Sequence, residues 1–134
     1  MPAQPSALIA EDEPLLAAAL QAELARAWPE LRVVATVGDG VSAVAQALAL
    51  QPDVLFLDIR MPGLSGLDAA VELFDAWPNA TQGSQAFPAL VFVTAYDQYA
   101  VQAFDTQAVD YLLKPVQAGR LQKTVAKVKL TLVA

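Results

Sequence analysis

The sequence predicts an α/β domain: a doubly wound, five-stranded parallel sheet with helices on both faces. Three observations predict it. Short β-branched runs alternate strictly with longer amphipathic stretches along the whole chain. The third such run, "PDVLFLD" (52–58), is apolar on both faces, as a central parallel strand should be. The chain has 134 residues, 56% hydrophobic and 16% charged, which gives one domain with a proper core and excludes a disordered chain.

Each element has its own signal. "ALIA" (7–10) reads as the first strand and "EPLLAAALQAELARAW" (13–28) as the first helix, with Pro14 in the first turn, where a missing N–H matters little. "LRVVATV" (31–37) is the second strand, "GDG" (38–40) a turn and "VSAVAQALAL" (41–50) the second helix. After the third strand, "SGLDAAVELFDAW" (65–77) is the third helix. "PNATQGSQAFP" (78–88) is a polar loop whose Asn79-Ala-Thr81 glycosylation pattern carries no weight in a chain expected to be cytoplasmic. "ALVFVTA" (89–95) is the fourth strand, "YDQYAVQAFDT" (96–106) the fourth helix and "AVDYLLK" (108–114) the fifth strand. The fifth helix, 118–133, stripes Leu121, Val125, Val128 and Leu132 along one side. Right-handed crossovers leave few topologies, of which the flavodoxin-like order 2-1-3-4-5 is the common one.

Composition narrows the chemistry. There is no cysteine and no histidine, so disulfides, thiolate zinc sites and every histidine-based triad are excluded. The start lacks a signal-peptide pattern and no run is long and apolar enough for a membrane, so the expected location is the cytoplasm, without membrane contact. Net charge is −6, distributed unevenly. All 14 acids and three of the bases lie in residues 1–110, and the remaining five bases lie in 111–134. The acidic bulk should repel nucleic acid, and the basic end reads as a solvated helix face.

The predicted strand ends carry the functional argument. Glu11-Asp12-Glu13 follow the first strand, Asp58 ends the third, Thr94 the fourth and Lys114-Pro115 the fifth. Singly, each has an ordinary explanation: a helix cap, a turn residue, a strand threonine, a surface lysine. Together they place a reactive group on every strand end but the second, at the rim where such sheets bind ligands. Clustered carboxylates repel unless a cation joins them, and oxygen ligands alone suit Mg²⁺. A carboxylate there can attack phosphorus, with Lys114 neutralising phosphoryl oxygens and Thr94 donating a hydrogen bond.

Glu11-Asp12, Asp58 in "LFLDIRMPGLSG", Thr94-Ala95 and "DYLLKP" together resemble the receiver domain of two-component response regulators, across essentially the whole chain. "FVTAYDQYAVQAFDTQAVDYLLKP" resembles the LytTR-type regulators, whose receivers precede a β-rich DNA-binding domain. The resemblance implies Asp58 as phosphoacceptor, Asp12 as a direct Mg²⁺ ligand, Glu11 as a ligand through water and the Arg60 backbone carbonyl as a further ligand. It implies Thr94 and Tyr111 as switch residues and a cis peptide between Lys114 and Pro115. The Arg60 and Tyr96 side chains are expected to tune phosphate lifetime, and Glu13 to be only a helix-start acid. Residues 1–134 are then one receiver domain, expected to be the N-terminal part of a longer regulator because "KVKLTLVA" ends without a helix stop.

The implied partners are a sensor histidine kinase and, through a C-terminal domain lying outside this chain, DNA. The face formed by 96–106, 108–114 and 118–133 would report phosphorylation. Asp97, Asp105 and Asp110 opposite Arg120, Lys123, Lys127 and Lys129 either pair two subunits across a two-fold axis or lace one subunit's own surface. Such a domain phosphorylates and dephosphorylates itself only, so it is not an enzyme in the ordinary sense. A haloacid-dehalogenase-type phosphatase would need an acid two residues after its nucleophile, where Arg60 stands. A flavodoxin would need a phosphate-cradling loop where Glu11-Asp12-Glu13 stand. An interaction module that works without phosphorylation is the remaining alternative.

Overall fold

The computed structural model describes residues 4–78, 86–95 and 107–133. Five strands form one parallel sheet in the order β2-β1-β3-β4-β5: β1 (Ser6–Ala10), β2 (Arg32–Val37), β3 (Val54–Leu57), β4 (Ala89–Thr94) and β5 (Asp110–Leu113). This is the predicted flavodoxin-like order. The described helices are α1 (Pro14–Ala27), α2 (Gly40–Leu50), α3 (Gly66–Ala76) and α4 (Ala118–Val133). The helix predicted over 96–106, with Tyr96, Asp97 and Asp105, lies outside the described residues, as does 79–85 with Asn79. None of the described helices is long and apolar enough to cross a membrane.

Burial follows strand position. β3 and β4 are buried at every residue, whereas edge strand β2 has no fully buried residue. Alternating side chains feed two cores, one on each face of the sheet. Ile9, Phe56 and Val91 pack with Leu24 of α1 and Leu121 and Val128 of α4. Leu8, Leu55 and Phe92 pack on the other face with Ala43, Leu73 and Tyr111. Each such large side chain contributes roughly 1.5–3 kcal/mol by leaving water.

The helix starts differ in how they are capped. The Asp39 side chain accepts the Ser42 N–H at the start of α2, and Ser65 accepts the Asp68 N–H at the start of α3. Pro14 opens α1, but Glu13 makes no side-chain cap there. The β3 boundary falls short of the sequence reading at both ends: Asp53 turns its carboxylate to the Ser6 N–H, and Asp58 lies just past the strand.

Strand register positions the site. Ala10 pairs with Leu57, so the next residues, Glu11 and Asp58, emerge side by side where the winding direction reverses. Thr94 pairs with Leu113, so Lys114 follows immediately beyond.

Candidate phosphoacceptor and metal site

Asp58 is 5% exposed, held at the rim by its backbone N–H bonding the Ala10 carbonyl. One carboxylate oxygen accepts the Arg60 N–H at 3.3 Å, and the other meets Lys114 Nζ at 2.7 Å. Lys114 is steered there by its own backbone N–H, which bonds the Thr94 carbonyl. The Lys114–Pro115 peptide is cis. Lys114 also forms an ion pair with buried Glu11, whose second oxygen accepts the Glu13 N–H at 3.1 Å. Asp12 is exposed. Glu11, Asp12 and Asp58 each offer a carboxylate oxygen, all within 4.8 Å of one another.

The electrostatics of this cluster are unbalanced. Three carboxylates face one ammonium, with the Arg60 side chain on the wall of the same cleft, which leaves an excess of negative charge at the rim. Burial pushes the Glu11 carboxyl up to about 6, and the Asp58 charge adds to that, while Lys114 and the Glu13 N–H pull it back. Burial works against the Lys114 ammonium, but its hydrogen bonds to Asp58 and Glu11 win and raise its pKa. A hard, oxygen-liking cation fits this donor set, which contains no nitrogen or sulfur ligand.

Thr94 supplies a second fit. It is fully buried, and among the described residues its Oγ1 is the one buried side-chain oxygen or nitrogen without a hydrogen-bond partner. An orphaned hydroxyl is a cost in the resting protein and a ready donor for an incoming oxygen. Above the acids opens a cleft of about 1050 Å³ whose walls include Asp12, Asp58, Arg60, Ala95 and Lys114.

A family model for the response regulator receiver domain matches residues 7–126. This chain belongs to that family. The receiver domain is 44% identical over 124 residues to an uncharacterized response regulatory protein of Vibrio cholerae, covering 92% of this chain and 44% of the relative. It is 39% identical over 122 residues to the transcriptional regulatory protein BtsR of Escherichia coli, covering 91% of this chain and 47% of the relative. The chain thus spans less than half the length of these curated relatives. Among solved structures, the receiver domain of AraT from Geobacillus stearothermophilus superposes with a TM-score of 0.82 at 34% identity, covering 96% of this chain and 95% of that one. A CheY-like receiver domain from Methylobacillus flagellatus, at 22% identity and a TM-score of 0.78, shares the fold, covering 94% and 99%.

The receiver's remaining expected residues fall in three places. Arg60 is exposed on the cleft wall and Glu13 is exposed beside Asp12. Tyr111, the other expected switch residue, is only 8% exposed, so its ring already lies in the interior of the unmodified chain. Of the two readings open for Asp110, its bond to Arg120 of its own chain agrees with pairing within one subunit, but at 1% exposed it is buried rather than on a solvated face.

Two glycines that the sequence marks only as turn residues, Gly40 and Gly66, are points of close backbone approach. A Cβ on Gly66 would stand 2.2 Å from the Asp58 carbonyl oxygen, and one on Gly40 would stand 2.0 Å from that of Leu64. The loop from Asp58 to Gly66 is therefore clamped by direct backbone approach, with the Gly66 N–H also bonding the Ile59 carbonyl at 2.8 Å. "MPGLSG" signals a turn, but nothing in it signals α2 as the other jaw.

Proposed function

We propose that this receiver domain accepts a phosphoryl group on Asp58 from the phosphohistidine of a sensor kinase, in a Mg²⁺-dependent reaction. The observation that carries the reading is a buried strand-end aspartate 2.7 Å from a lysine ammonium, with two more carboxylates gathered beside it. Asp12 and Asp58 would hold the ion, with Glu11 behind them and the Arg60 carbonyl alongside. Bound Mg²⁺ supplies charge neutralisation for the carboxylates and the incoming phosphoryl oxygens. An Asp58 oxygen forms the new bond to phosphorus as the phosphorus–nitrogen bond of the donor breaks and the imidazole leaves. Lys114 stabilises charge on the phosphoryl oxygens, and Thr94 turns its orphaned hydroxyl toward one of them. The reaction needs no general acid or base from the protein, which agrees with a chain that has no histidine.

The transferred group brings nearly two negative charges to the rim. Thr94 and Tyr111 then shift a pre-existing equilibrium of the face carrying β5 and α4. Resemblance to a transcriptional regulatory protein, together with the LytTR-like stretch through "DYLLKP", supports an output domain that binds DNA and a cytoplasmic location. Dimerisation through the same face would rest on Asp97, Asp105 and the exposed lysines, since Asp110 is already paired internally. A second reading, a receiver-fold interaction module independent of phosphorylation, draws on the burial of Tyr111 in the unmodified chain.

Intact mass after incubation with acetyl phosphate separates the two. The proposal expects a gain of one phosphoryl group with Mg²⁺, lost on adding a chelator and in Asp58→Asn. No gain in the wild-type chain would leave the interaction module.

A further inference from the structure

The buried acid at the start of β5 is not part of the phosphoacceptor site, yet its carboxylate accepts four hydrogen bonds. Asp110 Oδ1 accepts the Tyr111 N–H at 2.8 Å and Arg120 Nη2 at 2.7 Å. Its Oδ2 accepts Arg120 Nη1 at 2.8 Å and the Thr124 hydroxyl at 2.6 Å. Arg120 Nη2 also reaches the Tyr111 carbonyl at 3.3 Å. The guanidinium therefore grips the Tyr111 backbone twice: through Asp110 at its N–H, and directly at its carbonyl. Arg120 and Thr124 stand one turn apart on α4, so the start of that helix is fastened to the residue pair Asp110-Tyr111.

Register links this joint to the site. Tyr111 pairs with Phe92 and Leu113 with Thr94, so Tyr111 and Thr94 project from the same face of the sheet on adjacent strands. We propose that Arg120, acting through Asp110 and Thr124, is a positioning residue that sets where Tyr111 stands and couples its movement to α4. The joint rests on this geometry; only the signal that moves Tyr111 rests on the phosphoacceptor reading above. A planar fork suits the role, because two parallel bonds fix direction as well as distance. Lys127, 3.7 Å from Asp110 and more exposed, adds charge but no comparable geometry. The low exposure of Asp110 separates this joint from a bridge between subunits.

The test uses 3-fluorotyrosine-labelled protein, with the Tyr111 fluorine signal assigned by Tyr111→Phe. Arg120→Met should move that signal toward the solvent-exposed position and speed exchange of the Tyr111 amide by roughly tenfold or more. Thr124→Val should do the same more weakly, and Arg120→Lys should restore part of the wild-type signal. Should Arg120→Met not fold, Arg120→Gln and Thr124→Val carry the same comparison. A folded variant with a lower Tm but an unchanged Tyr111 signal and amide exchange would overturn the proposal and leave a merely structural ion pair. Acetyl phosphate and Mg²⁺ are then added, with uptake followed by mass. Wild type should shift Tyr111 and the α4 amides together, whereas Arg120→Met should take up the group without the α4 response; an unchanged α4 response there would overturn the coupling. If wild type takes up nothing, the phosphoacceptor reading fails, while the fluorine and exchange data on unmodified protein still decide the joint.

Discussion

Thr94 is poor for the resting fold and, on the proposed reading, useful to the reaction. Its hydroxyl is buried with no partner, while Lys114, whose backbone N–H bonds the Thr94 carbonyl, and Asp58 satisfy each other at 2.7 Å. Thr94→Val keeps the shape and removes the unbonded oxygen. The unmodified protein should then be as stable as wild type or more stable, by up to about 1 kcal/mol in urea melts. Its phosphorylated form should lose the hydrogen bond and hold the phosphoryl group differently, read as a changed hydrolysis rate. A clear loss of stability in the unmodified variant would mean the hydroxyl is bonded after all. At this scale the sequence was informative in part: Asp58, Thr94 and Lys114 stand out because four strand ends carry such groups at once, and the structure brings Asp58 and Lys114 together. The choice between the two readings of Asp110 was not legible, because its partners, Arg120 and Thr124, lie ten and fourteen residues away on another element. A charge count sees such residues as opposite signs on one surface and cannot see a closed internal pair.

At the level of elements, the loop after β3 owes its path to backbone contacts. Gly66 lies against the Asp58 carbonyl and Gly40 against that of Leu64, so α2 and α3 jointly hold the segment that carries Asp58. Gly119, in the first turn of α4, meets nothing within 4 Å. Alanine at the three positions should separate these roles. Gly119→Ala should be neutral or stabilise by roughly 0.5–1 kcal/mol. Gly40→Ala and Gly66→Ala must displace backbone and should each destabilise by about 2 kcal/mol or more, measured by thermal melts. Gly66→Ala should also slow phosphoryl uptake, since the contact it disturbs is the acceptor's own carbonyl. Equal stability of all three variants would contradict the clamp. Element order and type were legible from hydrophobic period and turn residues. The clamp was not, because glycine in a turn motif looks the same whether it serves the turn or a neighbouring helix.

For the whole molecule, two buried acids pull stability in opposite directions as pH changes. Burial alone would raise Asp110, but the Arg120 and Thr124 hydrogen bonds and the Tyr111 N–H overcome it and hold its carboxyl well below the usual range. Its contribution is therefore present above its ordinary value of 3.8 and is lost as pH falls below that. Glu11 behaves the other way. Its carboxyl moves from 4.5 to about 6 on folding, so the metal-free protein should lose up to about 2 kcal/mol as pH rises through that window. Denaturant melts from pH 3 to 7 should show both slopes. Mg²⁺ should raise the Tm most at neutral pH, where the acids are ionised, and should do so weakly in Asp12→Asn. A Tm insensitive to Mg²⁺ in wild type would count against the metal reading.

The central claim, that Asp58 is the acceptor, is tested most directly by locating the modification. Protein treated with acetyl phosphate and Mg²⁺ is reduced with borohydride, which converts an aspartyl phosphate to homoserine, and its peptides are mapped by mass. Homoserine is expected at position 58 alone, and nowhere without Mg²⁺. Homoserine at Asp12 or another aspartate, with residue 58 unchanged, would contradict it.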